Sequence, residues 1–500
     1  MTSSGPVEIR SFAGGADLAG DGWIERVNPA RFTEVVGRVS TVDAAGASAA
    51  VEAAHTAFSA WRHVDVADRC AQLLVAADAV GATTEGLGPL LARELGKVVG
   101  DCRGEMGFAS ACLRSVAASA PGIVADRTVS DDAGRLTVQH LPFGVVAAIV
   151  PWNAPLILSI LKVAPALACG NTVVVKPSPL APLAVTRALR SIADALPLGV
   201  LSVIHGGAEV GETLVGHRLV RKVAFTGGGV TARLVGATAA RAITPVVMEL
   251  GGNDPAIFLD DAPFDGAAME RVVFGTFLTS GQVCMAAKRL YVPRARADEF
   301  TDAYVSAAER VLRLGDPLDP TVTVGPMASP QQRSFVADLV GDAASRGATI
   351  HELGTVADVD LEGGWFLRPT LVTGVDDDWP IVADEQFGPT VPLCLYDDLD
   401  DAIARANDSE LGLASSVWSA DEDRAFEVAH RLEAGMTFIN CHNRAGMSLR
   451  APFGGVKQSG SGREFADEGI AEYLQTHSIH APAAVRPGGP PTAANAYPVQ

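Results

Sequence analysis

The sequence lacks the patterns that mark several classes of protein. Its seven cysteines include no CxxC pair and no spacing with histidine that suits zinc, so we expect neither a disulfide framework nor a bound metal ion. Basic patches are also missing, because the Lys and Arg residues are scattered and the formal charge is −19. Since nucleic-acid phosphates repel an acidic surface, we expect no nucleic-acid partner.

Long apolar runs are absent as well. The most apolar region, residues 141–169, is interrupted by Gly144, Pro151, Asn153 and Lys162, among others. It therefore falls short of the roughly 18 uninterrupted apolar residues that a membrane helix needs. The N-terminal residues lack the basic-then-apolar pattern of a secretory signal, so we expect a cytoplasmic protein without a membrane segment and with reduced cysteines.

The residues that are present predict an α/β fold. A chain of 500 residues that is 48% hydrophobic is long enough for more than one core, since single cores stop growing near about 250 to 300 residues. From Val145 onward, short β-branched runs alternate with helical stretches, which is typical of a parallel sheet covered on both faces. We expect two Rossmann-like α/β domains that are joined near Gly251 and Gly252.

The individual elements follow from the same patterns. Strands are predicted at "EVVGRVS" (a surface strand), "VVAAIV", "TVVVK", "LSVIH", "KVAFT", "TPVVMEL", "PAIFL" and "RLYVP", and helices at Ala49–Trp61, from near Pro155, at Leu183–Leu196, Ala267–Thr279 and Ala297–Leu312. The segment from Asp126 to Leu141 predicts a separate hairpin with a turn at Asp131 to Gly134. The tail from Ala481 is rich in Pro, Gly and Ala, which predicts an arm or disorder.

A glycine-rich turn follows the predicted strand "KVAFT". Residues 225–232, "FTGGGVTA", match the dinucleotide fingerprint through Gly227, Gly229 and Ala232. The acidic partner that this fingerprint expects about 20 residues later would be Glu249. Such a turn is as often simple turn chemistry, so the match alone does not establish a nucleotide site.

Two further motifs place polar side chains at the ends of predicted strands. In "MELGGNDP", Glu249 lies among apolar residues, where desolvation would raise its pKa into the range of a general base; the alternative is a carboxylate paired with Lys or Arg. In "VPWNAPL", Asn153 stands between two prolines, which suits either an amide donor to an oxyanion or an Asx turn. Cys284 alone would be interpreted as a small core residue.

These motifs are informative together. The segments "PWNAPL", "GNTVVVKPSP", "FTGGG", "MELGGNDP", "GQVCMAAKRL", "EQFGPTVP" and "APFGGVKQSGSGREF" occur in one order with wide spacing. The set resembles the NAD(P)-dependent aldehyde dehydrogenase superfamily, from about the helix that contains Phe58 and Trp61 to about His477. The resemblance implies oxidation of an aldehyde to a carboxylic acid through a thiohemiacetal and a thioester on cysteine.

The resemblance also implies a role for each matching residue. Cys284 would be the nucleophile, and Asn153 with the backbone N–H of Cys284 would form the oxyanion hole. Glu249 would activate water rather than bind a ribose of the cofactor. Lys162 and Glu464 would relay protons. The cofactor would be held by Glu385 at the nicotinamide ribose, Phe387 at the nicotinamide, Lys176 at the adenosine ribose, and Trp152, Ser178, Gly227, Gly228 and Leu250 along the cleft.

The sequence departs from the family pattern at two places. Gly228 and Gly229 stand where hydroxyl residues are usual, and Ala232 replaces a later glycine, so hydroxyl contacts to the pyrophosphate are not expected. Pro179 stands where NAD-preferring members commonly have Glu. Without that carboxylate a 2′-phosphate is not repelled, so we expect NAD as the cofactor with NADP also accepted.

Substrate identity is less constrained. Ala154, Val283 and Met285 suggest a roomy, apolar tunnel for larger or aromatic aldehydes. The segment "NCHNRAGMSLRAPFGG" holds His442, Arg444 and Arg450 nearby, and an inward arginine would suit the carboxylate of a semialdehyde. The alternative is that these arginines lie at the surface or in an interface.

The resemblance implies a homodimer or homotetramer with an aldehyde as its small-molecule partner. It divides the chain into an NAD(P)-binding domain (1–122 and 143–252), a catalytic domain (253–467) and an oligomerisation segment (123–142 and 468–500), whose strands would form an intersubunit sheet. Three other functions are considered: a coenzyme A-acylating aldehyde dehydrogenase, which typically lacks the base, a cofactor-free thiol esterase, and a catalytically silent protein on this scaffold.

Overall fold

The computed structural model describes residues 5–483. The helices are α1 (Ala44–Trp61), α2 (Val66–Ala82), α3 (Thr84–Leu95), α4 (Val99–Val124), α5 (Pro155–Ala168), α6 (Leu183–Ala193), α7 (Ala208–Gly216), α8 (Gly229–Arg241), α9 (Gly266–Phe277), α10 (Ala297–Val311), α11 (Pro330–Ser345), α12 (Pro380–Ala383), α13 (Leu399–Asn407), α14 (Glu422–Ala429) and α15 (Ala466–Ala471).

The strands alternate with these helices along most of the chain. They are β1 (Val7–Ile9), β2 (Phe12–Ala13), β3 (Ala16–Asp17), β4 (Gly22–Asn28), β5 (Arg31–Thr41), β6 (Arg127–Asp131), β7 (Gly134–Pro142), β8 (Val145–Ile149), β9 (Thr172–Lys176), β10 (Leu201–Val203), β11 (Val220–Thr226), β12 (Val246–Glu249), β13 (Asp254–Phe258), β14 (Ala287–Pro293), β15 (Arg313–Leu314), β16 (Thr349–Glu352), β17 (Thr355–Val356), β18 (Thr370–Thr373), β19 (Thr390–Tyr396), β20 (Leu411–Gly412), β21 (Ala414–Trp418), β22 (Met436–Ile439), β23 (Val456–Lys457), β24 (Gly460–Ser461) and β25 (Leu474–Pro482).

Two large sheets confirm the α/β fold class. The first has the strand order β24-β12-β11-β8-β9-β10-β2-β3, and its central strands β12, β11, β8, β9 and β10 run parallel. The second has the order β16-β18-β19-β14-β13-β21-β22 and is parallel except at β16. Strands such as β9 and β13 are buried along their whole length, as expected for sheets with helices on both faces.

The two sheets adjoin at the segment where the chain leaves one and enters the other. β12 ends at Glu249 in the first sheet, and β13 begins at Asp254 in the second. Later in the chain, β24 returns to the first sheet and pairs with β12. The predicted domain limits, with a join near Gly251 and Gly252, stay a prediction.

α4 is the one helix among residues 5–483 that is long and apolar enough to cross a membrane by length and composition. Buried helices of protein cores pass the same test. α4 contacts α2, α3, α5 and α15, and its Cys102, Met106 and Leu113 side chains are buried in the largest hydrophobic cluster. One face of α4 therefore packs into the core of this fold.

The predicted hairpin is present as β6 and β7, which pair from Arg127 with Val138 to Asp131 with Gly134. β25 adds to the other edge of β7, so that the C-terminal strand and the hairpin form one three-stranded sheet within the chain. Every residue of β6 is exposed. Of the tail predicted from Ala481, residues 484–500 lie outside the described part of the chain.

Several predicted element limits are wrong for identifiable reasons. α1 begins at Ala44 rather than Ala49, because Asp43 caps it by accepting a 2.7 Å bond from the Gly46 N–H. α6 ends at Ala193 rather than Leu196. β5 is not simply a surface strand, since Val36 and Val39 are fully buried between β1 and β4.

Candidate active site

Cys284 lies in a tightly held loop between α9 and β14. The predicted helix to Thr279 ends at Phe277, because Thr279 and Ser280 take left-handed backbone angles with φ of 54° and 58°. Such angles persist only where the surroundings hold them. The Ser280 hydroxyl donates to the carbonyl of Gly325 at 2.9 Å, and the Gln282 side chain accepts from the Ala328 N–H at 3.0 Å. The loop is thereby fixed on both sides.

Asn153 reaches this loop from the end of the first sheet. Its Nδ2 donates to the carbonyl oxygen of Gln282 at 3.1 Å, a contact between residues 129 positions apart. The Asn153 side chain is therefore engaged across the site, which a local Asx turn would not produce. Only one of the two amide hydrogens is needed for this bond, so the other is available to a ligand beside Cys284.

The Cys284 thiol has a strongly shifted acidity. The residue is half-buried, and burial raises the pKa of the thiol; the carboxylates of Asp254, Glu249 and Glu385 raise it further. Both effects oppose ionisation of the thiol. Gly252 packs directly against Cys284. A Cβ at Gly252 would lie 2.4 Å from the Cys284 carbonyl oxygen, so a larger residue would collide with the loop.

Glu249 ends β12 and its side chain is buried. It is 3% exposed, and neither carboxylate oxygen has a hydrogen-bond partner among the described residues. Burial raises its pKa well above the usual range, Glu464 adds to the rise, and Lys162 and Arg463 oppose it. The alternative of a carboxylate in an ion pair does not describe this side chain.

Lys162 and Glu464 form a buried pair behind Glu249. The Lys162 ammonium donates to the Glu464 carboxylate at 2.5 Å and to the Thr226 hydroxyl at 2.6 Å, and both members of the pair are 2% exposed or less. Glu464 is itself fixed, because its backbone exchanges two hydrogen bonds with Phe453 at 2.7 and 2.8 Å. The structure therefore brings together the two residues that the resemblance implies for a proton relay.

Glu385 lies on the other side of the Gly251–Gly252 segment. Its carboxylate accepts from the Gly252 N–H at 3.1 Å, and a Cβ at Gly251 would come within 2.2 Å of it. A side chain at Gly251 would therefore displace this carboxylate, whereas a side chain at Gly252 would collide with the Cys284 carbonyl. Burial raises the pKa of Glu385 to about 7, and Asp254 contributes to the rise.

Trp152 and Phe387 face each other at the same end of the site. Their ring centroids are 5.5 Å apart in an edge-to-face arrangement, and Phe387 has a left-handed φ of 48°. Lys288, which the sequence reasoning missed, holds the adjacent segment by donating to the Gly388 carbonyl at 2.5 Å. Burial lowers the pKa of this lysine to about 7.

A cleft of about 1160 Å³ runs between α8 and the segment that carries Glu385. Its lining includes Leu250, Gly251, Glu385 and, on α8, Gly229. Cys284, Trp152, Lys176 and Phe387 do not line it, so the cleft joins only part of the predicted cofactor set.

The start of α8 suits a phosphate. Gly228 is the N-cap of α8 and has no side chain. The first N–H groups of the helix therefore receive no capping hydrogen bond from a side chain at that position. A Cβ at Gly228 would meet nothing within 4 Å, so the backbone is open to a ligand. The Gly227 N–H instead donates to the Glu249 carbonyl at 3.1 Å, which ties the turn to β12. These residues fit a dinucleotide pyrophosphate through backbone N–H groups alone.

Lys176 ends β9 and is nearly buried, at 8% exposure. Burial lowers its pKa to about 8, and no ion pair holds it within residues 5–483. The Ser178 hydroxyl, by contrast, accepts from the Leu180 N–H at 3.2 Å in a local turn. Lys176 therefore keeps its donors for a ligand, whereas Ser178 already has one partner.

The three basic side chains of residues 440–455 that were considered as substrate ligands have different environments. His442 is fully buried and shares a hydrogen bond with the Ser416 hydroxyl at 2.8 Å. Arg444 forms an ion pair with Asp101 of α4 at 2.9 Å, and the Asp101 carboxylate also accepts from the Thr279 hydroxyl at 3.4 Å. Arg450 is exposed. The one arginine tied to the Cys284 loop thus has its charge balanced within the chain.

Sequence reasoning also missed the charged face at the start of α4. Asp101 and Glu105 are four residues apart in "GKVVGDCRGE" and lie on one side of α4, and Lys97 stands four residues before Asp101, just ahead of the helix. That four-residue spacing is the sequence feature that could have identified these residues. Lys97 and Glu105 contact the segment that carries Asn153, and Asp101 contacts the Cys284 loop.

Comparison with known proteins gives consistent matches. The family model "Aldehyde dehydrogenase family" matches residues 18–479. A geranial dehydrogenase of Castellaniella defragrans is 37% identical over 452 residues, which cover 89% of this chain and 93% of the relative. A glutarate-semialdehyde dehydrogenase of Pseudomonas aeruginosa is 37% identical over 463 residues, 91% of this chain and 94% of the relative. The solved structure of a Mycobacterium tuberculosis aldehyde dehydrogenase complexed with NAD+ superimposes with a TM-score of 0.90 at 34% identity, covering 95% of this chain and 99% of that one.

Proposed function

Because this chain belongs to the aldehyde dehydrogenase family and is an NAD(P)-dependent oxidoreductase that acts on aldehydes, we propose that Cys284 is its nucleophile. One observation carries this proposal. The loop of Cys284 meets the Asn153 amide on one side, and the unpaired Glu249 carboxylate is close enough to raise the pKa of the thiol. A nucleophile, an oxyanion donor and a base are the groups that acyl transfer through cysteine requires.

The first step forms a bond between the Cys284 sulfur and the aldehyde carbon. Because burial raises the pKa of the thiol, its proton must leave as the bond forms, and solvent water accepts it at this half-buried residue. The carbonyl oxygen becomes an alkoxide that accepts from the free N–H of the Asn153 amide and from the Cys284 backbone N–H. One such donor contributes about 3 kcal/mol to the transition state.

The second step removes hydride from that carbon and leaves a thioester on Cys284. Bound NAD(P)+ supplies the hydride acceptor. Glu385 would accept from the nicotinamide ribose, Trp152 and Phe387 would flank the nicotinamide, and Lys176 would reach the adenosine ribose. Leu250, Gly227 and Gly228 would line the path between them, and Ser178 would contact the cofactor near Lys176.

Hydrolysis of the thioester completes the reaction. Glu249 takes one proton from water as the oxygen attacks the thioester carbon, and the bond to the Cys284 sulfur then breaks. The product leaves as a carboxylate, and its remaining acid proton returns to the sulfur. Lys162 and Glu464 pass the proton from Glu249 onward, since both influence the charge on Glu249. A base in this position favours water over coenzyme A as the acceptor of the acyl group.

The substrate is proposed to be a larger, uncharged aldehyde. Ala154, next to Asn153, and Val283 and Met285, next to Cys284, are expected to line an apolar tunnel. The Asp101 carboxylate neutralises Arg444. A carboxylate on the substrate would have to displace Asp101 from this pair. The names of the relatives include both geranial and glutarate semialdehyde, so similarity alone does not choose between uncharged and acidic aldehydes.

The assembly and setting are proposed as well. We expect NAD as the main cofactor with NADP accepted, a homodimer or homotetramer through the β6–β7–β25 sheet, and a cytoplasmic location without nucleic-acid or membrane partners. The proposed NAD(P)-binding domain is 1–122 and 143–252, the catalytic domain 253–467, and the oligomerisation segment 123–142 and 468–500.

A panel of uncharged and acidic aldehydes, assayed by absorbance of the reduced nicotinamide with NAD and NADP in parallel, tests the proposal. Acid should be released without coenzyme A, and Cys284→Ala should abolish turnover. Acyl-coenzyme A as the required product would support the acylating alternative. Ester hydrolysis that depends on Cys284 in an enzyme inactive with every aldehyde and cofactor would support the thiol esterase.

A further inference from the structure

We propose that the buried Lys97–Glu105 pair is a positioning device for Asn153 and thereby sets the geometry of the oxyanion hole. The inference rests on the proposed role of Asn153 as the oxyanion donor. Neither Lys97 nor Glu105 touches the reacting atoms in this arrangement. Both contact the short segment from Asn153 to Ile157 that leads from β8 into α5.

Glu105 serves as the cap of a helix to which it does not belong. α5 begins at Pro155 after the N-cap Ala154, whose methyl side chain cannot accept a hydrogen bond. The Glu105 carboxylate accepts instead from the N–H groups of Leu156 at 2.7 Å and Ile157 at 3.3 Å, through the same oxygen. The first turn of α5 is therefore fixed by a side chain from α4.

Lys97 connects that carboxylate to Asn153. Its ammonium donates to the other Glu105 oxygen at 2.6 Å and to the backbone oxygen of Asn153 at 3.4 Å, and the side chains are 3% and 0% exposed. Burial alone would lower the pKa of Lys97, but the Glu105 carboxylate outweighs it and raises the pKa, so Lys97 stays a cation. A buried pair of this kind is retained where its geometry is needed, since its net contribution to stability is often small.

Asn153 is consequently held at three points. Lys97 contacts its carbonyl, Glu105 fixes the helix that follows it, and its own amide donates to Gln282 in the Cys284 loop. An oxyanion donor acts at 2.7 to 3.1 Å, and a displacement of about 1 Å can cost about 100-fold in rate. The pair therefore sets where the second amide hydrogen of Asn153 points.

Glu94 provides a matched control within the chain. It is also fully buried, and its carboxylate caps α6 by accepting from the N–H groups of Leu183 and Ala184, each at 2.8 Å. Replacing either glutamate by glutamine keeps the shape of the side chain and weakens a buried helix cap. Only Glu105 is connected to Asn153.

A double-mutant cycle between Glu105→Gln and Asn153→Ala tests the proposal, with kcat, the KM for NAD and the isotope effect of a 1-deuterated aldehyde as readouts. We expect Glu105→Gln to lower kcat about 10- to 100-fold with little change in the KM for NAD. In the Asn153→Ala background the same change should lower kcat less than threefold, because residues that act through one another are not additive. Glu94→Gln should change kcat by the same factor in both backgrounds.

An equal fold loss from Glu105→Gln in both backgrounds would overturn the inference and leave the pair as a structural element only. An Asn153→Ala enzyme with unchanged kcat would instead overturn the proposed role of Asn153. If Glu105→Gln does not fold, Lys97→Met replaces it in the same double-mutant cycle. Lys97→Arg keeps the cation, so its kcat should be higher than that of Lys97→Met.

Discussion

Replacing Glu249 with glutamine should stop the enzyme after one turnover. Glutamine has nearly the same shape, but its amide cannot take a proton from water. Because neither oxygen of Glu249 has a hydrogen-bond partner in the described structure, the substitution breaks no visible interaction. Hydride transfer should therefore persist, while hydrolysis of the thioester on Cys284 slows.

The size of the effect decides how it is observed. A general base contributes about 10²- to 10⁴-fold, which is about 3 to 5 kcal/mol in the barrier. With an ordinary turnover of about 10 s⁻¹, the thioester of Glu249→Gln would survive for about 10 to 1000 s. That lifetime is long enough for one equivalent of acyl group to accumulate per active site.

Rapid mixing with NAD and aldehyde should show a burst of NADH equal to the concentration of sites, followed by a slow steady rate. Mass spectrometry of the quenched variant should locate the added acyl mass on the peptide that contains Cys284. A steady rate within threefold of the unmodified enzyme, without a burst, would refute the assignment of Glu249 as the base.

Stability gives an independent measurement on the same variant. The pKa of Glu249 is raised in the folded state, so the protein loses stability as the pH rises from the unfolded pKa through the folded pKa, where a buried carboxylate must ionise. Glu249→Gln removes this loss. Its Tm relative to the unmodified protein should therefore be higher at pH 8 than at pH 5, and a difference that does not vary with pH would contradict the burial of the charge.

Three further changes test the surrounding groups. Burial raises the pKa of Glu385 to about 7, so the KM for NAD should rise as the pH falls below about 7, and Glu385→Gln should make that profile flat. An unchanged profile in the variant would exclude Glu385 as a cofactor ligand. Asp101→Asn frees Arg444 and should lower the KM for an ω-carboxy aldehyde about tenfold relative to its uncharged analogue, an effect that must vanish with Arg444→Ala. Lys162→Met leaves Glu464 buried without its partner and should cost about 3 to 5 kcal/mol in denaturant unfolding, whereas an unchanged midpoint would show that the pair is not formed.

The site positions that could be predicted from the sequence depend on local features of the chain. Glu249 ends a predicted strand among apolar neighbours, and its observed burial raises the pKa for the reason expected. Asn153 follows another strand of the same parallel sheet. Because the carboxyl ends of parallel strands meet at one edge, the positions of both side chains follow from the alternation of strands and helices.

The contacts that sequence could not assign depend on how distant segments cross. Glu105 bonds to N–H groups 51 and 52 positions later, and Asp101 pairs with a residue 343 positions away. Their regular spacing in α4 predicts a shared face, but not which backbone groups the face would meet. Likewise, the neighbours of Thr279 favour a helix, but its left-handed backbone is set by the hydrogen bonds that hold the Cys284 loop.

The charges around Glu249 suit the role of a base that is proposed for it. Lys162 lies close enough to lower the pKa of Glu249, but its ammonium is already bound to Glu464, so the pair as a whole carries no net charge. A lone lysine at this distance would hold Glu249 ionised and lower its affinity for protons. With the lysine paired, burial dominates, and the carboxylate keeps the raised pKa that allows it to take a proton from water. The Lys162–Glu464 pair therefore has a second effect besides proton transfer: because Glu464 balances the charge of Lys162, Lys162 does not act on Glu249 as a free cation.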